Sequence, residues 1–472
     1  MKSHLRKHLW FSRMVFALSL GLLFLPTGCG NPSTPATPSA SSSVSVAITP
    51  SAATVPEGGS LSFLAMVNGV ADTSVRWSVQ VGATGGSITN SGVYTAPNAL
   101  GTYRVVATSV ADPTVSASAV VTIDLPTSTT AGNFTAVGNM ITARAAHTAT
   151  LLPNGKVLIA GGEGDGFQAL ASAELYDPST HTFAPTGSMI TPRCRHSATL
   201  LADGRVLIAG GSQNINAGAF VFTAEIYDPS TGAFTATGDL TSIGGEVYAP
   251  PGDVTTLLPD GRVFAAATNN AEIYDPQSGT FTPTGPYAAP SLVYGTTVTL
   301  LTNGKVLVTG CAGSPFCSIG VTELFDPQSG TFGVTGPMMD KYYPDYGYTA
   351  TLLTDGRVLF LGSDDFSADA EVYDLAGTFA SIASGVSQEL APASRFTDGT
   401  VLVAGGQLPG GNGSTYAQLY VPASGTFERV GDMIVGRHSH TATPLPDDTV
   451  LITGGFSVWP GPTSGAEVYK PR

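Results

Sequence analysis

Short apolar runs rich in Val, Ile, Leu and Thr, each bounded by Gly, Asn, Asp or Pro, follow one another from residue 132 to the end of the chain. Runs of this length and composition predict β strands. The same order of runs returns seven times. Its centre reads NGKVLIAGG at 154–162, DGRVLIAGG at 203–211, DGRVFAAAT at 260–268, NGKVLVTGC at 303–311, DGRVLFLGS at 355–363, DGTVLVAGG at 398–406 and DDTVLITGG at 447–455. Asn-Gly or Asp-Gly between apolar runs marks a hairpin, because a type I′ turn needs positive φ at both central residues. The run ahead of each turn, HTATLL at 147–152 in the first copy, is therefore its paired strand. A third strand follows, AELYDP at 173–178, and then a fourth, HTFAPTGSM at 181–189.

The ring of the third strand recurs at Tyr176, Tyr227, Tyr274, Phe325, Tyr373, Tyr420 and Tyr469, at intervals of 47 to 51 residues. A four-stranded unit of about 50 residues has the period of a propeller blade. The seventh unit lacks a fourth strand, and a lone fourth strand, GNFTAVGNM at 132–140, precedes the first. Supplying the last blade's outer strand from the start of the domain removes the open edges of the ring. The predicted fold is all-β: a seven-bladed propeller over 132–472, closed by its N-terminal strand.

The Gly-Gly ending the second strand, the Tyr-Asp-Pro about a dozen residues on and the aromatic after it resemble the kelch repeat across residues 132–472. The glycine pair reads as replaced by Ala265-Ala266 in the third unit, Gly310-Cys311 in the fourth and Leu361-Gly362 in the fifth. Phe stands where many kelch repeats carry Trp.

Ahead of the ring, residues 45–124 alternate in short strands separated by turn residues, with Trp77 central and Tyr103 late. This places an inner-strand Trp and a tyrosine corner as in an immunoglobulin-like sandwich. The segment is similar to bacterial Ig-like modules, here taken as a spacer, with a linker at 125–131. Residues 1–28 carry Lys2, Arg6, Lys7 and Arg13 before the apolar stretch 14–25, the layout of an export signal. Gly28-Cys29 resembles the lipoprotein processing site, with Pro26 where a leucine is usual; simple secretion with cleavage nearby is the alternative. The Ser/Thr/Pro-rich stretch 29–44 reads as a flexible stalk.

Without residues 1–28 the chain carries 16 Lys and Arg against 34 Asp and Glu, a net charge of −18 that repels nucleic acid and anionic membrane surfaces. The expectation is an exported, envelope-located body whose membrane contact is a lipid at Cys29. Cys311 and Cys317 bracket a short loop and are expected to pair as a disulfide in an oxidising compartment.

Variable loops between second and third strands, and between units, should emerge together at one mouth of the channel. They carry Arg144, His147, Arg195, His196, Tyr248, Tyr294, Tyr343, Tyr346, Arg437 and His438 as candidate ligand contacts, alongside Arg193 and His440. Arginine hydrogen bonds and aromatic stacking suit a glycan. In the kelch pattern, however, an Arg with a His ahead of the first strand commonly links blades. The glutamate of the third strand, present in six copies from Glu174 to Glu467, reads as structural, since chemistry happens at one place. Galactose oxidase is built on such a ring with copper held by two tyrosines and two histidines. This chain has no Tyr-His dipeptide, so no copper ligand carries over, and no metal or other cofactor is expected. A noncatalytic binding or scaffold protein for a glycan or protein is therefore favoured over a carbohydrate-acting oxidase or epimerase.

Overall fold

The computed structural model describes residues 43–80, 85–97, 100–125, 132–214, 219–241, 254–266, 270–288, 294–312, 319–338, 349–362, 369–383, 390–408, 410–458 and 461–471. The export signal, Cys29 and Cys317 lie outside them. Among the described residues no helix is long and apolar enough to cross a membrane.

Seven four-stranded antiparallel sheets follow one another in the chain. In sheet 1 the order from the inside is Thr148–Leu151, Val157–Ala160, Ala173–Asp177 and Thr182–Pro185. Sheets 2 to 6 repeat this order, with innermost strands beginning at Ser197, Thr255, Tyr294, Thr349 and Ala393. Sheet 7 is built from Thr441–Pro444, Val450–Thr453 and Ala466–Lys470, and its outer strand is Asn133–Ala136 from the other end of the ring. That pairing sets Phe134 opposite Tyr469.

In sheets 1, 2, 5, 6 and 7 the second strand is buried along its length, as Val157–Ala160 and Val401–Ala404 show, because it is covered on both faces by neighbouring sheets. Seven apolar clusters fill the seven junctions. One joins sheets 1 and 2, the next 2 and 3, and so on to the cluster of Val157, Ile159 and Tyr176 with Leu445, Leu451 and Val468 that joins 7 back to 1. The circle is closed by packing as well as by hydrogen bonds. In every sheet the third-strand ring meets a fourth-strand phenylalanine at 4.8 to 5.0 Å between centroids, including Tyr469 with Phe134 at 4.9 Å.

Strand register corrects the glycine-pair assignment. Val263 lies opposite Tyr274 as Val157 lies opposite Tyr176, so Ala265 and Ala266 hold the places of Ile159 and Ala160, inside the strand. By the same register Leu361 holds the place of Ala160 in sheet 5. The sequence reading placed both pairs one or two residues early.

Residues 45–125 form two layers over one core. One sheet runs Ala52–Pro56, Ser116–Asp124, Gly101–Ser109 and Val75–Val79; the facing layer holds the pair Ser45–Thr49 with Leu64–Asn68 and the triplet Ser60–Ser62, Val93–Thr95 and Ser87–Ile88. The fully buried aromatics of this core are Phe63 and Tyr94, and the Tyr94 hydroxyl donates to the Gly85 carbonyl at 2.6 Å; Trp77 and Tyr103 pack around them half-buried. At its exit, Asp124 accepts from the Tyr416 hydroxyl at 3.1 Å and pairs with Arg429, which lies over the Tyr416 ring. Leu125 is buried in the cluster between sheets 5 and 6. The start of the expected 125–131 linker is thus docked on the ring.

Candidate functional site

In sheets 1, 2 and 7 the segment entering the innermost strand bridges to the residue that follows the glycine pair, Ala145 to Glu163, Cys194 to Ser212 and His438 to Phe456. The two variable loop sets therefore share one face. Three of these segments carry the motif Arg-x-x-His, at Arg144 and His147, Arg193 and His196, and Arg437 and His440.

Their arginines are inside the wall. Arg144 donates to the Ser172 carbonyl at 3.0 Å and to Glu174 Oε1 at 2.8 Å. Arg193 does the same with Thr223 and Glu225, and Arg437 with Gly465 and Glu467. Each glutamate also accepts backbone N–H groups of the entering segment, Glu225 from Ile190 at 2.7 Å and Thr191 at 3.0 Å. A buried guanidinium and a buried carboxylate tolerate this placement because each is paired and hydrogen-bonded.

Two of the histidines stitch neighbouring sheets together. His147 Nε2 meets Thr441 and Thr453 of sheet 7 at 3.1 Å each, and His196 Nε2 meets Thr148 of sheet 1 at 2.9 Å. This explains the first glycine of the pair: a Cβ on Gly161 would stand 2.8 Å from the His196 ring, and one on Gly454 2.7 Å from the His147 ring. Gly210, followed by a sheet without the histidine, has open space there. Burial holds these imidazoles neutral, aided by the nearby arginines: His196 falls to about 3, and His147 and His440 lie well below the usual value. His438, also lowered chiefly by burial, to about 4, meets the Gly411 carbonyl at 3.2 Å.

Four non-glycine residues with left-handed backbone ring the mouth at equivalent positions: Ala146 (φ 49°), Arg195 (φ 52°), Leu390 (φ 56°) and Ser439 (φ 53°). Ser439 N–H donates to the Leu390 carbonyl at 3.3 Å, Ala146 to Ser439 at 2.8 Å and Arg195 to Ala146 at 2.9 Å, a chain of bonds crossing four sheets. Such outliers persist where the surroundings over-determine them, and they cluster at binding sites. Arg195 alone among the four carries a charge. Its Nε lies 3.3 Å from Glu163 Oε1, with the arginine 23% exposed and the glutamate 1%.

Of the sequence-derived contacts, Arg144, His147, His196 and Arg437 are therefore corrected to framework positions. They are 0 to 1% exposed and offer no surface to a ligand. Arg195 stays partly open, and His438 lies buried behind it, close enough for the Arg195 charge to lower its proton affinity. Tyr248, Tyr343 and Tyr346 lie outside the described residues. Tyr294 begins an innermost strand opposite Cys311, where nothing is described of either side chain, so the Cys311–Cys317 pairing also lies outside. Cys194 is free and buried, with its thiol near Ser212 O at 3.3 Å and pushed up to about 12 by burial.

Sequence reasoning missed Glu163. Its signal was available: it follows Gly161-Gly162 where the other intact pairs are followed by Ser212, Gln407 and Phe456.

An all-β ring with its loops and a partly open charged pair gathered at one mouth defines a β-propeller-type fold. No protein-family model matches the sequence, and no curated protein matches it. Among solved structures the chain is similar to a fungal alcohol oxidase of the AA5 family in complex with copper. The likeness has a TM-score of 0.50 at 18% identity and covers 72% of this chain and 76% of that one, which speaks for the fold alone.

Proposed function

We propose that this chain is a noncatalytic, exported binding protein. In this reading residues 132–472 are a seven-bladed kelch propeller closed by its N-terminal strand, preceded by an Ig-like sandwich at 45–124 and held at the bacterial envelope through lipid on Cys29. The loop face binds a glycan or a protein. The observation that carries the reading is the Arg195–Glu163 pair: it departs from the repeat on two adjacent sheets at once and remains partly open, while the repeated arginines and glutamates are consumed by the framework.

A copper site of two tyrosines and two histidines is not supported by the donors described. His147 and His196 direct Nε2 at threonines on different sheets. The test is a glycan and peptide array probed with the purified chain, run beside metal analysis and a peroxide assay on primary alcohols. Metal-free binding that weakens at least tenfold in Arg195→Ala is expected. Bound copper with peroxide production would overturn the proposal in favour of an oxidase.

A further inference from the structure

Each apolar junction of the ring is wedged by one large side chain. Six of these wedges stand six residues beyond a fourth-strand phenylalanine: Met140, Met189, Leu240, Tyr287, Met338 and Met433. Counted the same way from Phe379, the junction of sheets 5 and 6 has Gly385, which brings no side chain. Its wedge is Leu125 instead, 5% exposed among Leu359, Leu361, Ala370 and Val403. By register these are the counterparts of Leu158, Ala160, Ala173 and Ile208, which surround Met189. Close-packed sheets with one wedge missing would enclose a void, and Leu125 fills it.

The polar lock of this junction is also replaced. Glu225, Glu272 and Glu323 accept backbone N–H groups from the segment that crosses to their sheet. In sheet 6 that position is Gln418. Arg429, opposite Gln418 on the fourth strand, pairs with Asp124, the residue before the borrowed wedge. The sandwich presents the two residues without slack. Asp124 ends the strand Ser116–Asp124; its carbonyl accepts from the Glu57 N–H at 2.9 Å, and its Oδ1 accepts from the Leu125 N–H at 2.9 Å and the Tyr416 hydroxyl at 3.1 Å. Ile123 belongs to the sandwich core and Leu125 to the ring core, and Leu100 packs against both.

We propose that the end of the sandwich is a built-in ligand of the ring. The slot between sheets 5 and 6, with Tyr416 and Arg429 at its lip, is an interaction surface, and its partner is the dipeptide Asp124-Leu125. An apolar side chain preceded by a carboxylate matches an apolar slot beside a guanidinium. Residues 45–125 therefore complete the propeller and are more than a spacer ahead of it.

The experiment places a specific protease site within residues 126–131 of the full chain and cuts it after folding. With an affinity tag on the sandwich, the ring should stay bound after cutting at about 1 μM protein, and Leu125→Ala and Asp124→Asn should each weaken that retention at least tenfold. In the uncut chain, Leu125→Ala should speed amide exchange about tenfold in Val358–Leu361 and Val401–Ala404 and leave Val206–Ala209 unchanged, whereas Met189→Ala should do the reverse. Separation of the cut halves without any substitution overturns the proposal, and this outcome needs no variant to fold. Retention that ignores Leu125→Ala overturns it as well, and so does exchange that is unchanged or uniformly faster around the ring.

Discussion

His196 makes acid sensitivity a quantitative test of the inter-sheet stitching. The ring is 1% exposed, held between Thr148 and the glycine pair of sheet 1, and its folded pKa is about 3. An unfolded histidine titrates near 6.5. Between those values the unfolded chain takes up a proton that the folded chain refuses, so stability is fully present above about pH 6.5 and declines as pH falls toward 3. From pH 7 to pH 5 this one residue should remove about 2 kcal/mol of folding free energy by linkage. His196→Gln keeps a group able to bond Thr148 but does not titrate. Urea unfolding of both proteins at pH 7 and pH 5 should show the wild type losing about 2 kcal/mol more than the variant. The His196 Cε1 proton, followed by NMR in the folded protein, should hold one chemical shift down to pH 4. Parallel stability profiles, or a resonance that titrates near 6.5, would refute the assignment of a neutral buried imidazole.

Glu225→Ala should cost about 3–5 kcal/mol in chemical denaturation, because it strands the fully buried Arg193 and two backbone N–H groups. Pairing it with Arg193→Met should recover part of that loss, and strictly additive costs would contradict the network. Phe134→Ala removes the half-buried ring that packs on Tyr469 at the closing seam and should cost about 1.5–3 kcal/mol. Hydrogen exchange should then accelerate first in Ala466–Lys470, and uniform acceleration around the ring would contradict a local seam.

The ring was legible because its local signals agree. An Asp-Gly or Asn-Gly turn, a buried apolar strand and a paired aromatic recur at one period, and the stray strand at 133 announces its partner at 469 by carrying the missing phenylalanine. The glycine-pair register was legible but misassigned: DGRVFAAAT set beneath DGRVLIAGG already puts Ala267-Thr268 at the glycine pair, and the pairing of Val263 with Tyr274 agrees. The mouth was legible as a place and not as a set of contacts. Arg-x-x-His reads the same whether the guanidinium reaches a ligand or a glutamate on the third strand. The distinguishing sign was distance along the chain, since Arg144, Arg193 and Arg437 are each followed by their glutamate after 30 to 32 residues, whereas Arg195 meets a glutamate that precedes it. Docking through Asp124 was hidden because its partners, Tyr416 and Arg429, lie 292 and 305 residues downstream.

The Asp124 anchor has a mechanical consequence. Its partner Arg429 lies in Thr426–Arg437, and the closing strand Asn133–Ala136 packs beside that same strand. Traction applied from the N-terminal side therefore loads a guanidinium clamp and the buried Leu125 before it can reach the hydrogen bonds that seal the circle. The clamp works as a strain relief, as a cable gland protects a soldered joint: the seam can stay shut under drag that tugs the sandwich.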